Sequence, residues 1–129
     1  MLGVGDTFIS PVPKLRAVHL NIVLTDPDPD NRSVVVNVTT LKSLSDRTVV
    51  CGLGDHQYIT HPSVIAYVFA TMVDLVRLDD GLRTRLFGIR QDPTCSPDFL
   101  DRVKSGFLDS PETPEPIYEL CQRLWSPAE

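Results

Sequence analysis

Three histidines carry most of the reactive chemistry that this 129-residue sequence offers, and two of them, His56 and His61, fall within the short stretch Gly52 to Ser63, "GLGDHQYITHPS". An imidazole can take or give a proton near neutral pH, so two in different surroundings can divide the work of base and acid. Cleavage of RNA by attack of a 2'-hydroxyl on its own phosphate needs such a pair, together with hydrogen-bond donors or a cation for the phosphate. His56 and His61 can alternatively hold a metal with Asp55 or His19, although no HExxH pattern or cysteine-containing zinc set accompanies them. The plainest use is structural, with the imidazoles fixing a loop by hydrogen bonds and His61 or Ser63 capping a helix.

The elements that must position these groups follow from periodicity. Val18 to Leu24, "VHLNIVL", alternates Val18, Leu20, Ile22 and Leu24 against His19, Asn21 and Val23, the pattern of a half-buried strand. "TDPDPDNRS" supplies turn formers, and "VVVNVTT" from Val34 to Thr40 reads as a second strand. Paired as a hairpin, the two strands place His19 and Asn21 on one polar face with Asn37 and Thr39, over which the loop from Asp55 to His61 can close. "TVVCGL" from Thr48 is a third strand, and "DTFISPV" near the start is a weaker fourth because of its prolines. Several short strands joined by turns predict a small, strongly curved sheet or barrel.

Beyond Pro62 the spacing becomes helical. Ile65, Val68, Phe69, Met72, Leu75 and Val76 recur three and four apart, predicting one helix over 63–80 that ends near Asp79-Asp80-Gly81. "TRLFGI" reads as a short return to the sheet, and "RQDPTCSP" as a break. Ser96 is an N-cap with Pro97 in the first turn, and Thr113-Pro114 looks like a second start of the same kind. The expected whole is a single domain over 1–129: a barrel core at 1–62, the helix at 63–80, and at 81–129 a return segment with two C-terminal helices.

Composition narrows the function classes. The net charge is −5, with five basic against six acidic side chains up to residue 70 and seven against eleven beyond it. That balance lacks the basic footprint by which proteins neutralise phosphates, so a nucleic-acid role has to rest on a local site. No run approaches the roughly 18 apolar residues of a membrane span, and the opening "MLGVGDTF" has no basic and apolar leader pattern, so cytoplasmic residence is the expectation. Cys51, Cys95 and Cys121, an odd and scattered set, suggest free thiols in a reducing compartment. Asp26, Asp28 and Asp30 alternate like the start of a calcium loop, but Asn31 stands where the turn glycine belongs and Asn37 where the closing glutamate belongs.

"HLNIVLTDP" followed by "VVVNVTTL" resembles the paired strands of the MazF/PemK-like toxins. His19 and Leu20 fall where that family has Arg-Pro, Thr25 at its Ser, and Thr39-Thr40 at its hydroxyl pair, while "GDTF" is similar to its opening strand. The later order of Gly54-Asp55-His56-Gln57-Tyr58-Ile59, His61, Ser63 and Tyr67 resembles a group of short bacterial proteins described as PemK-like; the likeness covers about residues 3 to 70. The resemblance implies an SH3-like barrel and a metal-independent endoribonuclease of a toxin–antitoxin system, acting on single-stranded RNA, without cofactor, as a homodimer paired with a cognate antitoxin. The family's arginine is absent, and Arg16 lies three residues before His19. The implied chemistry therefore moves to histidine. His19, His56 and His61 would act with Thr39 and Thr40, while Asn21, Asn37, Arg16 and Ser63 would hold the substrate and Tyr58 or Tyr67 would stack on a base. The rival expectation is a non-catalytic SH3-like binding module that docks a protein or nucleic-acid partner.

Overall fold

A computed structural model describes residues 1–11, 18–84 and 89–126. Among these, seven antiparallel strands and three helices form: β1 (Thr7–Pro11), β2 (Val18–Val23), β3 (Arg32–Thr40), β4 (Val50–Cys51), β5 (Ser63–Ile65), β6 (Thr71–Asp74), α1 (Leu75–Thr84), β7 (Arg90–Asp92), α2 (Pro97–Asp109) and α3 (Glu115–Leu124). The strands run in the order β4-β5-β3-β2-β1-β7, with β6 also beside β3. Strands followed by helices are thus observed, as a mixed α/β fold. The sheet does not close into a barrel; its outer strands β4 and β7 are not hydrogen-bonded to one another. None of these helices is long and apolar enough to cross a membrane.

The expected hairpin of β2 and β3 forms, with Asn21 opposite Asn37, Ile22 opposite Val36 and Val23 opposite Val35. Its turn is organised by Asp28, whose carboxylate accepts from the backbone N–H of Asp30 (2.9 Å) and Arg32 (2.8 Å), while Asn31 takes a left-handed φ of 60°. These bonds, first the one from Arg32, hold the Asp28 carboxyl below its ordinary range. The alternating aspartates thus serve the turn.

β3 is a central strand buried on both faces, which explains its valines at 34, 35, 36 and 38, interrupted only by Asn37. One pleat face joins Leu20, Ile22, Leu24, Val34, Val36 and Val38 to Phe99, Val103, Phe107 and Cys121 of α2 and α3. The other joins Phe8, Val23 and Val35 to Leu75 and Leu78 of α1. The sheet is therefore a middle layer between α1 and the C-terminal helix pair.

The helix expected over 63–80 is not there. Ser63–Ile65 and Thr71–Asp74 both pair antiparallel with β3, at Thr40 to Val38 and at Val35 to Arg32, and a single 3-10 turn at Tyr67–Phe69 interrupts them. β-Branched Val64, Ile65, Thr71 and Val73 suit a pleated edge, and the three-and-four spacing arose from two strand fragments separated by a helical turn. α1 starts only at Leu75, where Asp74 caps it by accepting from the N–H groups of Val76 (2.9 Å) and Arg77 (3.2 Å). The cap assigned to Ser63 or His61 is correspondingly absent. Of the return segment, "TRLFGI", residues 85–88 lie outside the described residues, and the strand beside β1 is Arg90–Asp92, where a break was expected.

Ser96 does cap α2, accepting from Phe99 N–H at 3.2 Å. Thr113 does not cap α3; its hydroxyl donates to the Phe107 carbonyl at 2.8 Å, tying α3 to the end of α2. Gly106 is required where α2 crosses the sheet, because an added Cβ would overlap Val49 Cγ2 and Tyr67 Oη. Tyr67 is wholly buried there, donating its hydroxyl proton to the Val103 carbonyl at 2.7 Å and meeting Phe107 edge-on at 6.0 Å.

Candidate functional site

The histidines do not converge. His56 is buried and points to the far end of the sheet, where its Nε2 lies 2.6 Å from the Pro93 carbonyl and 3.3 Å from Thr7 Oγ1, and its Nδ1 accepts from Tyr58 N–H at 3.1 Å. A carbonyl only accepts, so Nε2 carries the proton, and both ring nitrogens are engaged. The ring fastens the loop after β4 onto the β1–β7 edge, spanning the gap that a closed barrel would seal with backbone bonds. Ile59 of the same loop packs in the core against α2 and α3. The loop thus covers the apolar face, opposite to the polar one expected, because Tyr58 and Ile59 bring apolar surface that the Ile22–Val36 face can bury.

His19 stands opposite Ser10, three residues along β1 from Thr7 and on the other pleat face, a separation of about 10 Å along the strand. Its Nδ1 donates to the Val38 carbonyl at 3.0 Å, a group left without a β2 partner where β3 turns away to pair with β5. His61 is exposed, with Nε2 3.0 Å from Thr40 Oγ1, and Ser63, buried, donates its hydroxyl proton to the His61 carbonyl at 2.9 Å. Thr40, His61 and Ser63 therefore form one cluster at the end of β3, with half-buried Thr39 beside it in sequence. Arg16 lies outside the described residues. Tyr58 packs against the large core, and Tyr67 is sealed within it, its hydroxyl pushed well above the ordinary range by burial and by the charge of Asp46. Tyr67 has no face open for a base, because its aromatic bulk fills the space under Gly106. Among the described residues no three His, Cys, Asp or Glu side chains converge to hold a metal ion.

The two asparagines assigned to substrate do come together. Asn21 and Asn37 are direct cross-strand neighbours on the face turned toward α1. Asn21 is fully engaged as a donor, its Nδ2 reaching the carbonyls of His19 (3.0 Å) and Phe8 (3.3 Å) and the hydroxyl of Ser10 (3.2 Å). Asn37 is 2% exposed, yet among the described residues its Nδ2 has no hydrogen-bond partner. An orphaned buried donor is uncommon in a native fold and costs about 1–3 kcal/mol.

Both residues lie in the lining of a cavity of about 730 Å³ between the sheet and α1. Ser10 and Thr71 add hydroxyls, and Phe8, Val35, Val73, Leu78 and Ile89 supply apolar wall. Asp74 at the end of β6 and Arg77 and Asp80 on α1 stand at the rim, and Phe69, partly exposed, flanks it. Gly81 lines the cavity from α1, so no side chain fills it there. A mostly apolar cavity with a few polar groups is the usual build of a small-ligand site. Ser10, Thr71, Leu78, Gly81 and Ile89 were not legible as site residues; the usable signal was Asp74 before Leu75, which marks a late helix start and frees Thr71 for the sheet. A second cleft of about 490 Å³ runs between β4 and α2, where Arg102 bridges the Val50 carbonyl (2.9 Å) and Asp55 (2.7 Å) and so covers the edge of β4.

No family model matches the chain, and no curated protein matches it.

Proposed function

We propose that this chain is a non-catalytic binding module whose ligand site is the cavity between the sheet and α1. The reading rests on that cavity of about 730 Å³, whose wall is mostly apolar and whose lining includes the neutral polar side chains of Ser10, Asn21, Asn37 and Thr71. The acid/base pair that a ribonuclease needs has little support, since His56 is committed to Pro93 and Tyr58 and lies on the opposite face from His19. The test is a fragment screen by 1H–15N spectra on the wild type and on Gly81→Leu. An added Cβ at Gly81 meets Ile89 Cδ1 at an ordinary 3.5 Å, and leucine favours the helix, so the variant should keep the fold while narrowing the cavity beside Ile89. Fragments that shift Val35 and Leu78 in the wild type and not in Gly81→Leu support the module; binders unaffected by the substitution count against it.

A second reading, the MazF/PemK-like endoribonuclease, draws on the Thr40–His61 contact, an exposed imidazole beside a hydroxyl at the end of β3. On that reading single-stranded RNA, a cognate antitoxin and a second copy of the chain are the partners. EDTA-resistant cleavage of a long RNA that His61→Ala abolishes would favour it.

A further inference from the structure

A sheet edge displays unpaired N–H and C=O groups on which another strand can build, and native proteins block such edges with side chains or charge. Two edges of this sheet are blocked. Along β4 each outward group that matters is taken by a side chain: Thr48 N–H by Asp46 (3.0 Å), the Val50 carbonyl by Arg102 (2.9 Å) and Gly52 N–H by Asp55 (2.9 Å). β7, Arg90-Gln91-Asp92, carries charge of both signs. β6 has neither device. It runs Thr71-Met72-Val73-Asp74 beside β3 alone, with exposed Val68 and Phe69 before it and exposed Val76 after it.

Leu24 N–H donates to the Val34 carbonyl and Leu75 N–H to the Asn31 carbonyl, both at 2.8 Å, and these bonds fix the alternation. Thr71 and Val73 turn their backbone groups to β3, while Ala70, Met72 and Asp74 turn theirs outward. Two of the outward groups are already used. Ala70 N–H donates to the Tyr67 carbonyl at 3.0 Å, and the Asp74 carbonyl, at the N-cap of α1, accepts the first bond of that helix. Among the described residues this leaves Met72 with a donor and an acceptor, Asp74 with a donor, and Ala70 with an acceptor.

A second copy laid antiparallel about a twofold axis at Met72 matches that set group for group. Met72 N–H and C=O meet those of the other Met72, and each Asp74 N–H meets the other copy's Ala70 carbonyl. The side chains agree, since Thr71 falls beside Val73 of the other copy and Met72 beside Met72. Charge agrees as well: the chain carries −5, yet 70–73 holds no charged residue, and Asp74 faces Ala70 rather than a second carboxylate. The same axis carries Val76 of one copy toward Val68 and Phe69 of the other. We infer that β6 is a self-association edge, pairing antiparallel with β6 of a second copy and joining the two sheets into one.

The test is sedimentation equilibrium of the wild type, Met72→Leu and Met72→Pro, together with filtered nuclear Overhauser effects on mixed labelled and unlabelled wild type. Proline at 72 removes an N–H that points away from β3, so the ladder to β3 survives, and leucine keeps that N–H with similar bulk. The expected result is a mass that doubles with concentration in the wild type and Met72→Leu, and a dimer weakened about ten-fold or more in Met72→Pro by its two lost bonds. Thr71 Hα of one molecule should contact Val73 Hα of another, as residues opposite each other in a non-hydrogen-bonded pair do. A wild type that stays monomeric at millimolar concentration overturns the inference. So does a dimer that Met72→Pro leaves unchanged, or one whose contacts lie away from β6. If Met72→Pro fails to fold, the presence or absence of the Thr71 to Val73 contact in the wild type decides.

Discussion

Replacing Asn37 by valine should make the free protein more stable. The residue is 2% exposed, and its Nδ2 has no partner among the described residues, so the folded state carries an uncompensated loss of hydration of about 1–3 kcal/mol. Valine suits the position because β3 already runs Val34, Val35, Val36 and Val38, and a β-branched side chain fits its pleat. Removing the orphan donor should raise the unfolding free energy by about 1–2 kcal/mol, after allowance for imperfect packing against the cavity. For a chain of this length that is roughly 3–8 °C in melting temperature. Urea unfolding followed by circular dichroism reads the change as a shifted midpoint with an unchanged slope. Its cross-strand neighbour is the control: Asn21→Val breaks three donated bonds and should lose about 1–2 kcal/mol. Two adjacent asparagines would then respond with opposite signs. A loss of 1 kcal/mol or more in Asn37→Val would show that its carboxamide already serves the fold, and the argument from an unsatisfied donor would fail.

Gly106→Ala should cost about 2–3 kcal/mol, because the added methyl overlaps Val49 and the sealed Tyr67 ring; a change under 0.5 kcal/mol in urea unfolding would contradict the crossing described. His56→Ala should lower stability by about 2–3 kcal/mol, since it leaves the Pro93 carbonyl and Tyr58 N–H without the imidazole; unchanged stability would remove His56 as a fastener. Burial pushes the thiols of Cys51, Cys95 and Cys121 up, to about 11, about 12 and about 12, with Asp55 adding to the first and Asp6 to the second. Groups whose values are raised by folding contribute stability that is complete below their unfolded value near 9.0 and lost as pH rises from there toward the folded values, by up to about 1.4 kcal/mol per pH unit for each group. Stability should therefore be flat from pH 7 to 8.5 with respect to these thiols and fall between pH 9 and 11; a rise over that interval would reverse the sign argued. At pH 8 the same thiols should resist alkylation in the native protein and react once it is unfolded in urea.

The β2–β3 hairpin was legible because its strands alternate around a turn rich in aspartate and proline, and the same alternation put Asn21 and Asn37 on one face. Ser96-Pro97 announced α2 by its cap. The segment from Ser63 was misread because two strand fragments joined by a 3-10 turn leave apolar residues at helical intervals, and only their pairing with β3 decides between the readings. His56 illustrates a different loss. A loop imidazole looks the same in sequence whether it faces solvent or donates to a carbonyl 37 residues away. The cavity was not legible either, since it depends on where α1 begins and on Gly81 leaving its space unfilled.

The most direct measurement is a set of intermolecular nuclear Overhauser effects between a fragment bound in the screen and the methyl groups of the protein. The account predicts contacts from the fragment to Val35, Leu78 and Ile89, which wall the cavity. Contacts confined to Val49 and Val50, in the cleft beside α2, would place the ligand elsewhere and contradict it.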